Sequence, residues 1–277
     1  SEYVAPHWKS REWISGFTGS AGTVVVTTTK AGLWTDSRYF LQAALQLEGT
    51  EIELYKEMLP ETPSISTFLS MQLAPGDTVG IDGKMFSAEA VEDMRVKLQK
   101  HRIRLKSISD PLEQLWTDRP PMPEGPAFIH ETKYAGKSST EKISIIREEL
   151  KKCNAKALFL SALDEIAWTL NLRGSDVHCN PVVVSYLLIE EQHTHFFIQP
   201  QKITPVVANY LKEIGASLHP YEEVETYLNR INVDSLLINP AKTNYAMYSA
   251  VNPNCRIIHG ASPVTLLKAI RNKQEIA

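Results

Sequence analysis

The stretch "WTLNLRGS" at 168–175 repeats an earlier one, "WISGFTGS" at 13–20. Tryptophan, glycine and serine fall at one constant offset, and a triple valine soon follows each copy, at 24–26 and 182–184. The match carries on downstream. "VGIDGKMFS" answers "LLINPAKTN", and "HRIRLKSISDPLEQL" answers "CRIIHGASPVTLL", each at nearly the same place in its half. So long a period in a chain of 277 residues predicts two tandem copies of one folding unit.

Outward from the repeat, short β-branched runs alternate with helical patterns. In the first half, 23–28, 51–55, 78–82 and 102–108 predict strands, with helices over 37–47 and 87–101. In the second, a helix over 140–153 precedes strands at 157–161, 182–189 and 195–198, followed by two further helix and strand pairs. The alternation predicts an α/β fold, each unit a mixed sheet with flanking helices. Between the halves, "WTDRPPMPEGP" at 116–126 concentrates prolines that remove backbone donors, so a linker is expected there. The expected divisions are a first domain over 1–120, a second over 127–265, and 266–277 as the start of a further helix. Ser262 is placed to cap that last helix and Pro263 to occupy its first turn, with Val264, Leu267 and Ile270 at helical spacing. No glycine cap or turn closes it before Ala277, so a continuation is expected; Ser1 in place of methionine suggests trimming at the other end.

Composition bounds the function classes. Hydrophobic residues at 43% and charged residues at 22%, without biased runs, describe an ordinary globular protein. A formal charge of −3 with no basic stripe argues against nucleic acid as a partner. No apolar run approaches the roughly 18 residues of a membrane helix, and the start lacks the pattern of a signal peptide. Cys153, Cys179 and Cys255 are odd in number and widely spaced, which disfavours a disulfide framework or zinc knuckle and suits a reducing cytoplasm.

Several motifs invite chemistry and fail on context. The glycines of "GFTGSAG" (Gly16, Gly19, Gly22) precede a strand, where a phosphate loop would follow one, and predict a tight turn. In "AGKSST" the first P-loop glycine is replaced by Glu131, and Ser138 with Glu141 reads as a capping box. Ser20 in "TGSAG" lacks the first glycine of a nucleophile elbow. His193 and His195 project alike from a strand and read either as a hairpin tip or, with Glu191, as part of a metal site. His178 and Cys179 are adjacent and diverge. Asp36 is placed to cap a helix, leaving Arg38 in a first turn where a cation is disfavoured; its partner is Asp36 or an acid on another domain or subunit.

The segment "SALDEIAWTLNLRGSDVHCNP" at 161–181 holds the densest polar cluster. Leu163, Ile166, Ala167 and Leu170 define a buried helical face, and Asp164, Trp168 and Asn171 form a second stripe about a quarter turn away. Gly174 is expected to end the helix, just after Arg173. Acid, aromatic, amide and arginine together suit polar recognition of a ligand or another domain; the alternative is packing, with the acid capping its own helix.

At this point "SEYVAPHWKSREWISGFTGSAGT", "LWTDSRYFLQA", "LWTDRP" and "ALDEIAW..NLRGSDV..NPV" resemble the N-terminal part of three-domain Xaa-Pro aminopeptidases, also called aminopeptidase P. The resemblance covers essentially the whole chain and implies two creatinase/prolidase N-terminal-type domains in tandem. It further implies a third, catalytic domain of the pita-bread fold, absent here, as the chain's own partner. There two divalent metal ions, usually manganese, activate water for attack on the bond before proline in peptide substrates. None of the motifs carrying the metal ligands occurs in this sequence, so the chain alone is expected to be inactive, to shape access to the cleft, and to contribute to assembly as a cytoplasmic homodimer. Under the resemblance Asp164, Trp168, Asn171 and Arg173 look toward the catalytic domain, with Arg38 a secondary choice, and Arg173 outweighs Glu165. Two other readings stay open: a peptide- or histone-binding module without catalysis, and a prolidase-type dipeptidase, which normally carries one such domain.

Overall fold

A computed structural model describes residues 3–276, and the chain forms two compact units, Ser1–Asp82 with Val91–Met122, and Gly83–Ala90 with Pro123–Ala277. In the first unit, helix α1 (Ser10–Ser15) leads into strands β1 (Thr23–Val26) and β2 (Ala31–Thr35), helix α2 (Phe40–Gln46), strand β3 (Ile52–Lys56) and helix α3 (Ile65–Gln72). Strand β4 (Thr78–Asp82), helix α4 (Ala88–Gln99) and strand β5 (Arg104–Ile108) follow. β1 pairs antiparallel with β2, and β2 parallel with β3. β4 and β5 form a separate parallel pair. Only β2 is buried along most of its length, with Leu33 and Trp34 inside; the indole of Trp34 stacks on Tyr55 at 4.0 Å and donates to the Pro63 carbonyl.

The second unit is built on strand β6 (Phe128–Ile129), helices α5 (Thr132–Ala135) and α6 (Ser139–Lys152), strand β7 (Ala157–Leu160), helix α7 (Leu163–Leu170) and strand β8 (Leu172–Arg173). The hairpin β9 (Ser185–Glu190) and β10 (Thr194–Ile198) comes next, then α8 (Pro205–Glu213), β11 (Ala216–Pro220), α9 (Val224–Arg230), β12 (Ser235–Ile238), α10 (Tyr245–Ser249) and β13 (Arg256–His259). Three helix and strand pairs thus follow the hairpin, one more than the pattern suggested, because α10 is short and its apolar period barely repeats. The six strands run in the order β11-β10-β9-β7-β12-β13. β7 is antiparallel to β9 and parallel to β12, so the sheet is mixed, as expected. β6 pairs with β8 outside it.

The repeat is legible in this topology. β1-β2-β3 and β9-β10-β11 share one pattern, antiparallel then parallel, and β4-β5 corresponds to β12-β13, both parallel. Within the second unit, Gly83–Ala90 and the stretch before α10 exchange equivalent hydrogen bonds. Ala88 donates to Thr243 O and Tyr245 to Phe86 O, each at 2.9 Å.

Caps confirm the local grammar. Ser138 and Glu141 form the full capping box of α6, Ser262 caps helix α11 (Pro263–Ala269), and Pro263 holds its first turn. The single helix expected beyond Ser262 is instead two. Ile270 is extended (φ −82°, ψ 108°), and the Asn272 side chain accepts from Gln274 and Glu275 to start α12 (Lys273–Ile276). Helical spacing alone does not register such an asparagine, whose side chain offers the backbone a new start.

Candidate functional site

The polar cluster is centred on α7. This helix has no side-chain cap at its start, so Asp164 does not cap it, and it stops at Asn171 in the left-handed conformation (φ 47°, ψ 39°). Gly174 therefore does not end the helix, as the glycine rule suggested; asparagine's short polar side chain tolerates this backbone too. Gly174 has another reason to be glycine: a Cβ there would lie 2.3 Å from Val183 Cγ1. The position equivalent to Asn171 in the first repeat is the left-handed Gly16 that ends α1 (φ 69°).

The four residues expected at this site lie close in sequence but at different depths. Asp164 is exposed and ion-paired with Lys268 of α11. Burial pushes its carboxyl up, but the hydrogen bond and charge of Lys268 outweigh this and hold it below the usual range. Trp168 is half-buried beneath the ammonium of Lys142, 4.3 Å from the ring centroid. Asn171 is 1% exposed; its Oδ1 accepts from Lys142 Nζ at 2.6 Å and its Nδ2 donates to Lys137 O at 2.9 Å. Arg173 is half-buried and donates through one nitrogen to the carbonyls of Ala167 and Leu172, at 2.6 and 2.9 Å. Glu165, which Arg173 is expected to outweigh, is 6% exposed and accepts a hydrogen bond from Thr265, which lies far away in sequence.

Lys142 is the central residue that local reading missed. It is 2% exposed, donates to Trp168 O at 2.8 Å as well as to Asn171, and forms no ion pair with a carboxylate among the described residues. Two cations and an amide thus gather on the carbonyl end of α7, where the helix dipole favours positive charge. Burial, followed by the nearby Arg173 charge, lowers the Lys142 ammonium to about 8. Burial also lowers the Arg173 guanidinium, and His130, whose N–H donates to Asn171 O, is lowered by burial and then by Arg173 and Lys142. The cluster is cationic and half-sheltered, and among the described residues it pairs no nucleophile with a base.

Arg38 belongs to the first unit. It grips Asp36 in a fork, Nε to Oδ1 at 3.0 Å and a terminal nitrogen to Oδ2 at 2.9 Å, while Asp36 also accepts the Arg38 backbone N–H. The hydrogen bond from Arg38 is the main reason the Asp36 carboxyl lies below its ordinary range.

The donor set does not fit a dinuclear metal centre. Among the described residues no three His, Cys, Asp or Glu side chains gather so as to hold a metal ion. His195 turns away from His193, whose ring lies 6.1 Å off, and toward His219 of the neighbouring strand. No helix among the described residues is long and apolar enough to cross a membrane.

Comparison with known proteins places this geometry. The creatinase/prolidase N-terminal domain profile matches twice, in two versions, at residues 3–115 and 118–275. Aminopeptidase P2 of Arabidopsis thaliana is 39% identical over 92% of this chain and 36% of its own length. Xaa-Pro aminopeptidase 1 of Dictyostelium discoideum is 37% identical over all of this chain and 45% of its own. The crystal structure of X-prolyl aminopeptidase from Caenorhabditis elegans, described as a cytosolic enzyme with a di-nuclear active site, superimposes with a TM-score of 0.92 and 31% identity, covering 100% of this chain and 46% of that one. This chain spans less than half the length of these relatives, corresponding to their N-terminal part. It belongs to the creatinase/prolidase N-terminal domain family, with two such domains in tandem as in the N-terminal portion of Xaa-Pro aminopeptidases.

Proposed function

We propose that this chain is the non-catalytic N-terminal region of a cytosolic, metal-dependent Xaa-Pro aminopeptidase, which removes the residue before proline from the start of peptides. The observation that carries the reading is the match of the whole chain, at a TM-score of 0.92, to only 46% of the Caenorhabditis elegans enzyme. The two metal ions, of the manganese class, belong on this reading to a C-terminal catalytic domain, and they would activate the attacking water.

The chain's own residues bind and position. Arg173 presents its remaining N–H groups, and Trp168 its half-buried ring, to that catalytic domain, with Asp164 beside them. Asn171 and Lys142 hold the helix end behind the surface, and Arg38 contributes from the first unit. The full-length protein assembles as a homodimer and restricts its cleft to short proline-containing peptides.

The test compares this chain with the full-length protein on an Xaa-Pro-Xaa peptide in the presence of manganese. Turnover is expected only from the full-length protein. Hydrolysis by this chain alone would sink the proposal, and an inactive full-length protein would favour a peptide-binding module.

A further inference from the structure

The β10–β11 ladder carries a histidine pair that the proposed function does not use. His195 of β10 is registered with Ser217, and Phe197 with His219 of β11, so both imidazoles stand on one face of the sheet. His195 Nδ1 and His219 Nε2 are 3.0 Å apart. The other nitrogen of His195, Nε2, lies 2.9 Å from the Tyr227 hydroxyl and 3.7 Å from Glu190 Oε2. The same hydroxyl is 3.4 Å from Nδ1. His219 stacks on Phe197, with centroids 4.9 Å apart, which fixes its plane.

A neutral imidazole has one N–H and one lone pair. The Tyr227 hydroxyl packs against the His195 ring and Glu190 lies near its Nε2 edge, while Nδ1 faces His219 Nε2 at hydrogen-bond distance. We propose that His195 and His219 form a two-imidazole site for a borderline divalent transition metal of the zinc, nickel or copper class, with water completing the coordination.

On binding, the ring that donates in this pair moves that proton to its other nitrogen, so both facing nitrogens offer lone pairs and no proton is lost. Metal–nitrogen bonds of about 2.0 to 2.1 Å at a tetrahedral angle put the two nitrogens roughly 3.3 Å apart. The nitrogens must therefore separate by a few tenths of an ångström, and the rings must turn so that both lone pairs meet the ion off the line joining them. Two nitrogen donors suit these metals and not magnesium or manganese, which favour oxygen, so the site differs in selectivity from a manganese centre. It also stands or falls independently of the peptidase reading, because its ligands lie wholly within this chain.

The test is calorimetric titration of this 277-residue chain with Ni2+. The protein carries no histidine tag, and the exposed Cys153 and Cys179 are alkylated so that thiols do not compete. One ion per chain is expected, and Mn2+ should give no heat. His195→Ala and His219→Ala should each weaken binding roughly tenfold or more, whereas His193→Ala should leave it nearly unchanged. His219→Gln, which keeps a polar side chain at the edge, repeats the test if the alanine variant misfolds. No saturable uptake by the folded chain, or uptake that survives loss of His219, overturns the proposal.

Discussion

Within the described residues the two units share their strand ladders but differ in how these ladders join. In the second, β7 lies between β9 and β12 and joins two ladders into one six-stranded sheet. In the first, no strand among the described residues takes that place, and β1-β2-β3 and β4-β5 stay separate. The consequence for burial is direct. Every residue of β7 and β12 is buried, while β5 is exposed at four of its five positions. A central strand gives both neighbours a paired edge and both faces a cover, so its apolar side chains, each worth about 1.5 to 3 kcal/mol when fully buried, all count toward stability.

The largest expected effect breaks that contrast at its most sheltered charge. Asp176 and Lys202 are paired with both side chains 0% exposed. Asp176 Oδ2 also accepts the Val184 N–H at 2.6 Å, while Oδ1 is buried with no partner among the described residues. Asp176→Ala strands the Lys202 ammonium in an apolar interior and should cost about 3 to 5 kcal/mol. The comparable pair of the first unit, Asp110 with Arg119, is 24% and 17% exposed. There Asp110→Ala should cost less, about 1 to 3 kcal/mol, since both side chains keep partial exposure where those of Asp176 and Lys202 have none. Urea denaturation of both variants checks the order, and equal losses would remove the distinction between the cores.

A smaller effect sharpens the contrast through pH. Lys142 has its ordinary pKa of 10.5 when unfolded and about 8 when folded, with burial as the main cause. Below pH 8 both states hold the proton, so the burial penalty is fully present. Between about pH 8 and 10.5 only the unfolded state keeps it, so stability should rise with pH, by up to about 3 kcal/mol across the window. Lys142→Met should remove this rise whatever it does to absolute stability. The measurement is the slope of unfolding free energy against pH in the two proteins, and parallel slopes would show that Lys142 stays charged.

What could be read from the sequence was whatever is encoded within about one helical turn or one repeat. The capping box at Ser138, the cap at Ser262, the fork between Asp36 and Arg38 and the buried face of α7 all depend on neighbours a few positions away. The doubled unit was visible because its glycine and tryptophan positions recur. Contacts made across the fold were not visible. Lys142 reaches α7 from another helix, Glu165 is buried under Thr265, and His195 meets His219 only because β10 and β11 pair. Asn171 was misjudged for a different reason: glycine and asparagine compete for the left-handed cap, and Gly174 was the stronger local signal.

The smallest expected effect lies at the surface of the candidate site, where density of the core beneath should not matter. Lys268 and Asp164 form an ion pair with side chains 34% and 55% exposed. Water screens both groups, and two long side chains must be held in one geometry, so Lys268→Ala should cost no more than about 1 kcal/mol. The sign with pH follows from the Asp164 carboxyl, whose folded pKa lies below its ordinary value. The pair's contribution is present above the unfolded pKa of about 4 and lost as pH falls through the folded value. Thermal melts of wild type and Lys268→Ala should therefore differ slightly at neutral pH and converge in acid. A loss several times larger would mean that α11 depends on this contact to stay on α7, making the pair part of the core's closure instead of an ornament of its surface.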